Sequence, residues 1–158
     1  MTIEEGGRAP QFTLEDQNGE KVRLKDFKGE KQVVLFAYPK AMTPGCTTES
    51  KDFTCLAGEF AELDTVVLGI SADSVERQKK FEAKEELGVP LLSDEAKTVL
   101  EKYGFYGEKT MYGKVRMGII RSTVLIGKNG KILKLWKNVR TKGHAEKVLA
   151  AVRELAGS

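Results

Sequence analysis

The hydrophobic and polar positions of this chain change period several times, and the pattern predicts strands that alternate with helices. Two nearly continuous apolar runs, at residues 32–38 and 65–70, are typical of strands buried inside a sheet. Two further runs, at residues 119–126 and 132–136, flank a Gly-Lys-Asn-Gly sequence and predict a hairpin. A shorter strand is predicted at residues 90–92. These runs are the expected core of a sheet.

Helical patterns fill the intervals between these strands. Helices are predicted at residues 49–63 with a start at Thr43, at 74–87, at 95–103, and from 141 or 143 to 156. Asn18-Gly19, between two short strand-like runs, predicts an N-terminal β-hairpin with a type I′ turn. The resulting order predicts an α/β fold in which a mixed central sheet carries helices on both faces. A single domain over residues 1–158 is expected from the length.

The junction between the first central strand and the next helix carries the strongest chemical signal. Thr43 stands where a helix N-cap belongs, and Pro44 fits the first helical position. Cys46 is therefore expected in the first turn, where free backbone N–H groups and the helix dipole favour a thiolate. Because a thiolate is a nucleophile, redox chemistry is a candidate function. The alternative is a small buried Cys46 with Thr43 acting only as a cap.

A thiolate that attacks a peroxide needs donors that hold the substrate and bear the charge of the departing oxygen. The Thr43 hydroxyl, three residues before the cysteine, is placed to reach both sulfur and substrate. Pro39 lacks an N–H and can wall a pocket without competing for hydrogen bonds. Arg121, at the head of a later predicted strand, offers the cation that would complete the site.

Pro39, Thr43 and Cys46 together resemble the Pro-x-x-x-Thr-x-x-Cys motif of the peroxiredoxins. The wider string at residues 38–47 resembles the bacterioferritin-comigratory, or Q-type, subfamily, and the resemblance extends over nearly the whole chain. It implies a thioredoxin-like fold and a thiol peroxidase that needs no metal, haem, flavin or nicotinamide. It also implies hydroperoxide substrates and, more weakly, a monomer.

The same resemblance implies a role for each matching residue. Cys46 is similar to the peroxidatic cysteine and Thr43 to the hydroxyl that binds peroxide. Pro39 is similar to the shielding proline and Arg121 to the activating guanidinium. Glu49 matches an acidic position that helps to orient the arginine. An equally simple interpretation of Glu49 is a first-turn acid that complements the helix dipole.

The second cysteine departs from the subfamily pattern. Many members carry a resolving cysteine five residues after the first, where this chain has Lys51. Cys55 instead follows Cys46 by nine positions, which is about 900° around a helix and about 13.5 Å along it. A disulfide needs Cα atoms within about 7 Å, so a Cys46–Cys55 bond requires part of the helix to unwind. Cys55 is predicted to be exposed and resolving, and the alternative is a semi-exposed bystander.

These features predict a peroxidase in which Cys46 becomes a sulfenic acid and Cys55 then forms an intramolecular disulfide. Thioredoxin, or a similar dithiol reductant, is the expected partner that restores both thiols. Lys51 favours one alternative, a one-cysteine peroxidase recycled by an external thiol such as glutathione or a glutaredoxin. A second alternative is a redox sensor that passes its disulfide to a client protein.

Composition limits the partners and the cellular location that are expected for this protein. Charged residues make up 31% and hydrophobic ones 41%, and the net charge of +3 comes without interleaved aromatics, so no nucleic-acid partner is expected. No apolar run approaches a membrane span, and the acidic start is unlike a signal peptide, so no membrane partner and a cytoplasmic location are expected. One histidine and no Cys-x-x-Cys argue against a metal site.

Three remaining features carry expectations of their own. Residues 104–118 contain four glycines and predict a loop, either a lid or docking surface near the site or an ordinary surface excursion. His144, at the start of the last helix, is predicted to lie on the surface. Trp136 alternates with leucines on its strand and is predicted to pack against the core.

Overall fold

A mixed β-sheet forms the centre of the molecule. The structure, a computed structural model, describes residues 3–111 and 113–156. The strands in this part of the chain are β1 Thr13–Glu15, β2 Lys21–Arg23, β3 Gln32–Ala37, β4 Thr65–Ser71, β5 Leu91–Ser93, β6 Tyr106–Met111, β7 Lys114–Ile119, β8 Ser122–Ile126 and β9 Ile132–Trp136. Seven of these described strands form one sheet, in the spatial order β2-β1-β5-β4-β3-β8-β9.

The two apolar runs that open the sequence pattern lie at the centre of this sheet. β3 pairs in parallel with β4 over six residue pairs, and β4 pairs in parallel with β5. On its other side β3 pairs antiparallel with β8, so that Ala37 lies opposite Ser122. The prediction of a mixed sheet with an N-terminal β-hairpin is therefore confirmed.

Helices cover both faces of the sheet, also as predicted. The helices are α1 Pro44–Glu62, α2 Val75–Glu85, α3 Thr98–Lys102 and α4 His144–Ala156. Phe36 of β3 packs with Phe53 of α1 and Val148 of α4 on one face, to which α2 also contributes. The neighbouring residue Leu35 points to the other face and packs with Leu100 of α3. None of the helices in the described residues is long and apolar enough to cross a membrane.

The N-terminal hairpin forms, but its predicted type I′ turn is wrong. Such a turn needs positive φ at both central residues, and of the Asn18-Gly19 pair only Gly19 has it, at φ 76°. The N–H of Gly19 donates to the Asp16 carbonyl at 3.0 Å, which makes a three-residue loop. The Asp16 carboxylate accepts from the N–H groups of Asn18 and Glu20 at 2.8 and 3.1 Å, which stabilises this longer loop.

Two helix boundaries differ from the prediction. α2 ends before Gly88, because Glu86 itself takes the left-handed conformation at φ 54°. The helix predicted at residues 95–103 is a short one, Thr98–Lys102. Asp94 still serves its N-terminus, because its carboxylate accepts from the Leu100 N–H at 2.8 Å.

The segment at residues 104–118 is not a loop. β6 and β7 form a separate two-stranded antiparallel ribbon, and Tyr112 lies outside the described residues. Val115, Met117 and Ile119 do alternate as in a strand, but the four glycines favoured a loop, and most side chains of β7 are exposed. The strand predicted at 119–126 is divided in two, because Ile120 and Arg121 lie between β7 and β8 and belong to neither strand. This break sets Arg121 at the start of β8.

His144 is buried, so its predicted surface position is wrong. Only 3% of the residue is exposed, and its Nε2 lies 2.7 Å from Oγ1 of Thr123 on β8. Burial lowers the pKa of His144 to about 4, with smaller contributions from the positive charges of Lys147 and Arg121. Trp136 packs edge-on against the His144 ring, in agreement with its predicted packing role. The first turn of α4 is therefore anchored to the sheet.

Candidate active site

The start of α1 places Cys46 in a buried position at the end of the central strand. Thr43 is the N-cap residue, with extended backbone angles, and Pro44 is the first helical residue. Cys46 follows in the first turn and is only 1% exposed. Pro44 has no N–H, and the N–H groups of Gly45 and Cys46 have no carbonyl of the same helix to bind. The helix therefore presents two free donors beside the thiol.

Arg121 reaches this thiol because β8 lies beside β3. The antiparallel pairing brings the start of β8 to the end of β3, next to the beginning of α1. Nη2 of Arg121 donates to Sγ of Cys46 at 3.2 Å. Nη1 of the same guanidinium donates to Oε1 of Glu49 at 2.7 Å. One planar cation thus holds both the sulfur and a carboxylate, a geometry that favours a thiolate.

Glu49 lies on the same helical face as Cys46, one turn later, and is 1% exposed. Burial raises the pKa of Glu49 to about 7, and the attraction of Arg121 offsets part of this effect. Burial alone would lower the pKa of Arg121, but the charges of Glu49 and Cys46 outweigh it and the pKa is raised. Arg121 therefore stays a cation while it is shared between two acidic groups.

We expect Glu49 to make stability fall as pH rises from 4.5 to 7. Its folded pKa of about 7 lies above the ordinary value of 4.5, so the native state holds this proton more tightly than the unfolded chain. The stabilisation is complete below the lower value and is lost as pH rises through the higher one. Relative to Glu49→Gln, the free energy of unfolding should fall by about 3 kcal/mol across this window.

Urea denaturation at a series of pH values measures this difference. A Cys46→Ser background removes the titration of the thiol from both proteins, so that Glu49 is the only group that differs. Curves that run parallel for the two proteins would contradict the expectation.

Gly45 is a site residue that sequence reasoning did not single out. A Cβ atom built at Gly45 would lie 3.2 Å from Nη2 of Arg121 and 4.0 Å from a methyl carbon of Thr141. The missing side chain therefore leaves room for the guanidinium to approach Cys46. The motif string contained this glycine, but only the packing of a residue 76 positions later explains it.

We expect Gly45→Ala to lower the rate of peroxide reduction by about tenfold, because the added methyl displaces the guanidinium from the sulfur. The fold should be retained, because the helix preference of alanine over glycine, up to about 1 kcal/mol, offsets part of the cost of displacing Arg121. Peroxide consumption and thermal unfolding are the two measurements. Gly58→Ala in the same helix is the matched control, because no atom lies within 4 Å of its Cβ position. Equal rates for both variants would contradict the packing argument.

Thr43 and Pro39 lie on the connection between β3 and α1. The Thr43 hydroxyl does not cap the helix; it donates to the Lys40 carbonyl at 2.7 Å. Its proton is therefore occupied, and its oxygen lone pairs remain available to accept a hydrogen bond. Pro39 is half-buried where the strand ends. In this geometry the Thr43 hydroxyl donates within the loop, and its oxygen is free to accept.

Cys55 lies far from this cluster. It is exposed while Cys46 is buried, and both are free thiols. The intact helix α1 spans both residues, so they project from opposite sides, as the spacing predicted. Thr54 beside it accepts a hydrogen bond from the Gly88 N–H at 3.1 Å, which ties this part of α1 to the end of α2. The structure therefore brings together Cys46, Glu49 and Arg121, but not Cys55.

A buried thiol at a helix start, held by a guanidinium beside a mixed sheet, defines a thiol-based redox enzyme of the thioredoxin-like class. The AhpC/TSA family matches residues 6–135 of the chain. Peroxiredoxin Bcp of Bacillus subtilis is 44% identical over 156 residues, which is 99% of each chain. Peroxiredoxin Bcp of Escherichia coli is 42% identical and covers 98% of each chain.

Solved structures show the same similarity. A cysteine-to-serine mutant of Xylella fastidiosa PrxQ superposes with a TM-score of 0.92 at 34% identity, over 99% of both chains. Xanthomonas campestris bacterioferritin comigratory protein, studied for its alkyl peroxide reduction activity, gives 0.87 at 37% identity over 92% of both chains. The chain therefore belongs to the AhpC/TSA family, among the peroxiredoxins of the Bcp or PrxQ kind. It is a thiol-dependent peroxidase that takes a hydroperoxide and a reductant.

Proposed function

We propose that Cys46 is the residue that reduces the hydroperoxide. Its thiolate attacks the terminal oxygen, an S–O bond forms, and the O–O bond breaks. Cys46 becomes a sulfenic acid, and the departing alkoxide or hydroxide takes up a proton to give alcohol or water. The observation that carries this proposal is the 3.2 Å contact between Nη2 of Arg121 and Sγ of Cys46.

The surrounding groups fit the charges of this step. Arg121 stabilises the thiolate before attack and the negative oxygen during departure. The free N–H groups of Gly45 and Cys46 offer further donors at the same place. The Thr43 oxygen accepts the hydroperoxide O–H, and Pro39 shields the pocket from water. Glu49 keeps the guanidinium in place through its 2.7 Å hydrogen bond.

Cys55 is proposed to resolve the sulfenic acid. Its sulfur attacks Cys46, an S–S bond forms, and water leaves. The buried Cys46 must first leave its pocket by unwinding the start of α1, and the lack of a Thr43 side-chain cap makes that turn easier to open. Thioredoxin, or a similar dithiol, then restores both thiols by exchange.

Location and assembly belong to the same proposal. The site residues lie at the end of β3, on the connection to α1, on α1 and at the start of β8, so a single domain is proposed to perform the whole cycle. A cycle through free thiols fits a reducing compartment such as the cytoplasm. Resolution within one chain needs no second copy, so a monomer is proposed.

A one-cysteine cycle is the second candidate, because Cys46 and Cys55 project from opposite sides of an intact helix. An external thiol would then reduce the sulfenic acid directly. Cys55→Ser distinguishes the two cycles. If Cys55 resolves, the variant still consumes one equivalent of hydrogen peroxide but stops turning over with thioredoxin.

Gly58→Ser is the matched control, since it alters the same exposed part of α1 and has open space around it. It should turn over like the unaltered protein. Full thioredoxin-coupled turnover of Cys55→Ser would remove Cys55 from the cycle and favour the one-cysteine candidate.

A further inference from the structure

The loop between β3 and α1 is held in a strained backbone conformation. Met42 has φ 68°, in the left-handed region that non-glycine residues avoid. Such strain persists only when neighbouring groups hold the backbone in place. Thr43, which follows directly, is the N-cap residue of the helix that carries Cys46. The conformation of this loop therefore determines where the Thr43 oxygen stands relative to the thiol.

Ala41 is the loop residue whose backbone is held by hydrogen bonds from outside the loop. Its N–H donates to Oδ2 of Asp73 at 2.7 Å. Its carbonyl accepts a longer hydrogen bond, 3.4 Å, from Nη2 of Arg77. Ala41 is 1% exposed and Asp73 is 9% exposed, so water competes little for the bond between them. A buried hydrogen bond to an ionised carboxylate is among the stronger ones in a protein.

The carboxylate of Asp73 is itself held by hydrogen bonds from β4 and α2. Ser71, the last residue of β4, donates its hydroxyl to Oδ2 of Asp73 at 2.7 Å. Arg77 on α2 donates Nε to Oδ1 at 3.0 Å. Ser74 caps α2 through the Arg77 N–H at 3.2 Å and so fixes the turn from which Arg77 reaches back. The end of β4 and the start of α2 thus act together on the loop.

The same polar cluster reaches the residue before the loop. Gln78 of α2 donates to Oγ of Ser71 at 2.9 Å and to the Leu92 carbonyl at 3.0 Å. Its amide oxygen accepts the hydroxyl of Tyr38, the residue that follows β3. Tyr38, Gln78 and Ser71 are all fully buried. The loop is therefore tied down both at its beginning and at Ala41.

We propose that Asp73 is a positioning residue for peroxide reduction, acting through the Ala41 backbone to hold the strained loop that sets Thr43 beside Cys46. Arg77 supports it from α2. The inference rests on the proposed role of Thr43 in holding the hydroperoxide. Asp73 touches neither sulfur nor substrate, and its effect passes entirely through the backbone of residues 41–43.

This role predicts a selective defect. Attack on a hydroperoxide requires an acceptor in the correct place, whereas alkylation by iodoacetamide requires only an accessible thiolate. Arg121 reaches Sγ of Cys46 from the start of β8, an element that the change at Asp73 does not touch. Loosening the loop should slow the reaction with peroxide and leave the alkylation rate unchanged or faster.

The test compares two rate constants of Cys46 in the same protein. One is for sulfenic acid formation with hydrogen peroxide, trapped with dimedone, and the other is for alkylation with iodoacetamide. For Asp73→Asn we expect the first to fall by about 10- to 100-fold, since a displacement of about 1 Å can cost that much. The second should stay at or above its original value. Arg77→Met should change the two rate constants in the same directions, but by smaller factors.

Leu100→Ala is the matched control, because Leu100 is buried on α3, in the core on the opposite face of the sheet from Ala41, and its loss destabilises the fold. If the role of Asp73 is purely structural, the control variant should lose as much peroxide reactivity as Asp73→Asn at an equal loss of thermal stability, and that result would overturn the proposal. Unchanged peroxide reactivity would overturn it as well. If Asp73→Asn does not fold, Arg77→Met gives the same decision, because the Arg77 side chain is only partly buried. If the proposed function itself is wrong, hydrogen peroxide will fail to oxidise Cys46 in the unaltered protein.

Discussion

Replacing Cys46 by serine should abolish peroxide reduction while the fold is retained. A serine hydroxyl is not ionised near neutral pH, so the nucleophile that attacks the O–O bond is lost. The side chain is 1% exposed and changes little in size, and Arg121 keeps its hydrogen bond to Glu49. We expect no peroxide consumption above the uncatalysed rate, measured in single turnover and with the thioredoxin system.

The matched control for this result is Cys55→Ser, which removes the other thiol. It should react once with peroxide at the original rate. Circular dichroism shows whether both variants fold. Retained peroxidase activity in folded Cys46→Ser would remove Cys46 from the chemistry and overturn the proposed function.

Arg121→Met should lower the rate of peroxide reduction by about 100- to 1,000-fold, the usual cost of losing a donor to a developing oxyanion. Methionine fills part of the space of the arginine stem but supplies no charge. Alkylation of Cys46 by iodoacetamide at neutral pH should slow too, because the sulfur loses the positive group that contacts it. Both rates measured on one preparation test the expectation.

Two related variants separate charge from geometry at this position. Arg121→Lys keeps a cation but loses the fork that bonds Sγ of Cys46 and Oε1 of Glu49 at once, so an intermediate rate is expected. Arg121→Met also leaves Glu49 buried without its cation. The double variant with Glu49→Gln should therefore recover stability but not activity. Unchanged peroxide and alkylation rates in Arg121→Met would contradict the role proposed for the guanidinium.

The elements with strong apolar patterns were predictable from the sequence. The runs that became β3 and β4 are buried on both faces, and such runs stand out from the surrounding polar residues. The apolar stripe of α4 likewise marked a helix. The ribbon of β6 and β7 was missed because its exposed strands need no buried face, and its glycines suggested a loop.

The burial of polar residues was harder to predict from the sequence. His144 was placed on the surface because a single histidine at a helix start gives no local sign of burial, whereas its partner Thr123 lies 21 residues away. Asp73 gave no signal either, because its contact with Ala41 joins residues 32 positions apart. Such pairings depend on the fold, not on local pattern.

Some residues of the candidate site were predictable from local sequence patterns, and others were not. The helix start at Thr43 and Pro44, with Cys46 in the first turn, followed from local rules of helix capping. The need for a cation, together with the resemblance, related Arg121 to a cysteine 75 residues earlier, which spacing could not. For Glu49, two interpretations were open from the sequence. Its 2.7 Å hydrogen bond to Arg121 favours the one in which it orients the guanidinium.

The role of Cys46 is tested most directly by the mass of the reduced protein after one equivalent of hydrogen peroxide, with non-reducing peptide mapping. We expect a loss of two hydrogens and a peptide pair in which Cys46 is linked to Cys55. Oxygen added to Cys46 alone would contradict the resolving role of Cys55 and support the one-cysteine cycle. A covalent dimer would contradict resolution within one chain. Thiols left intact would show that Cys46 is not the peroxide-reducing residue.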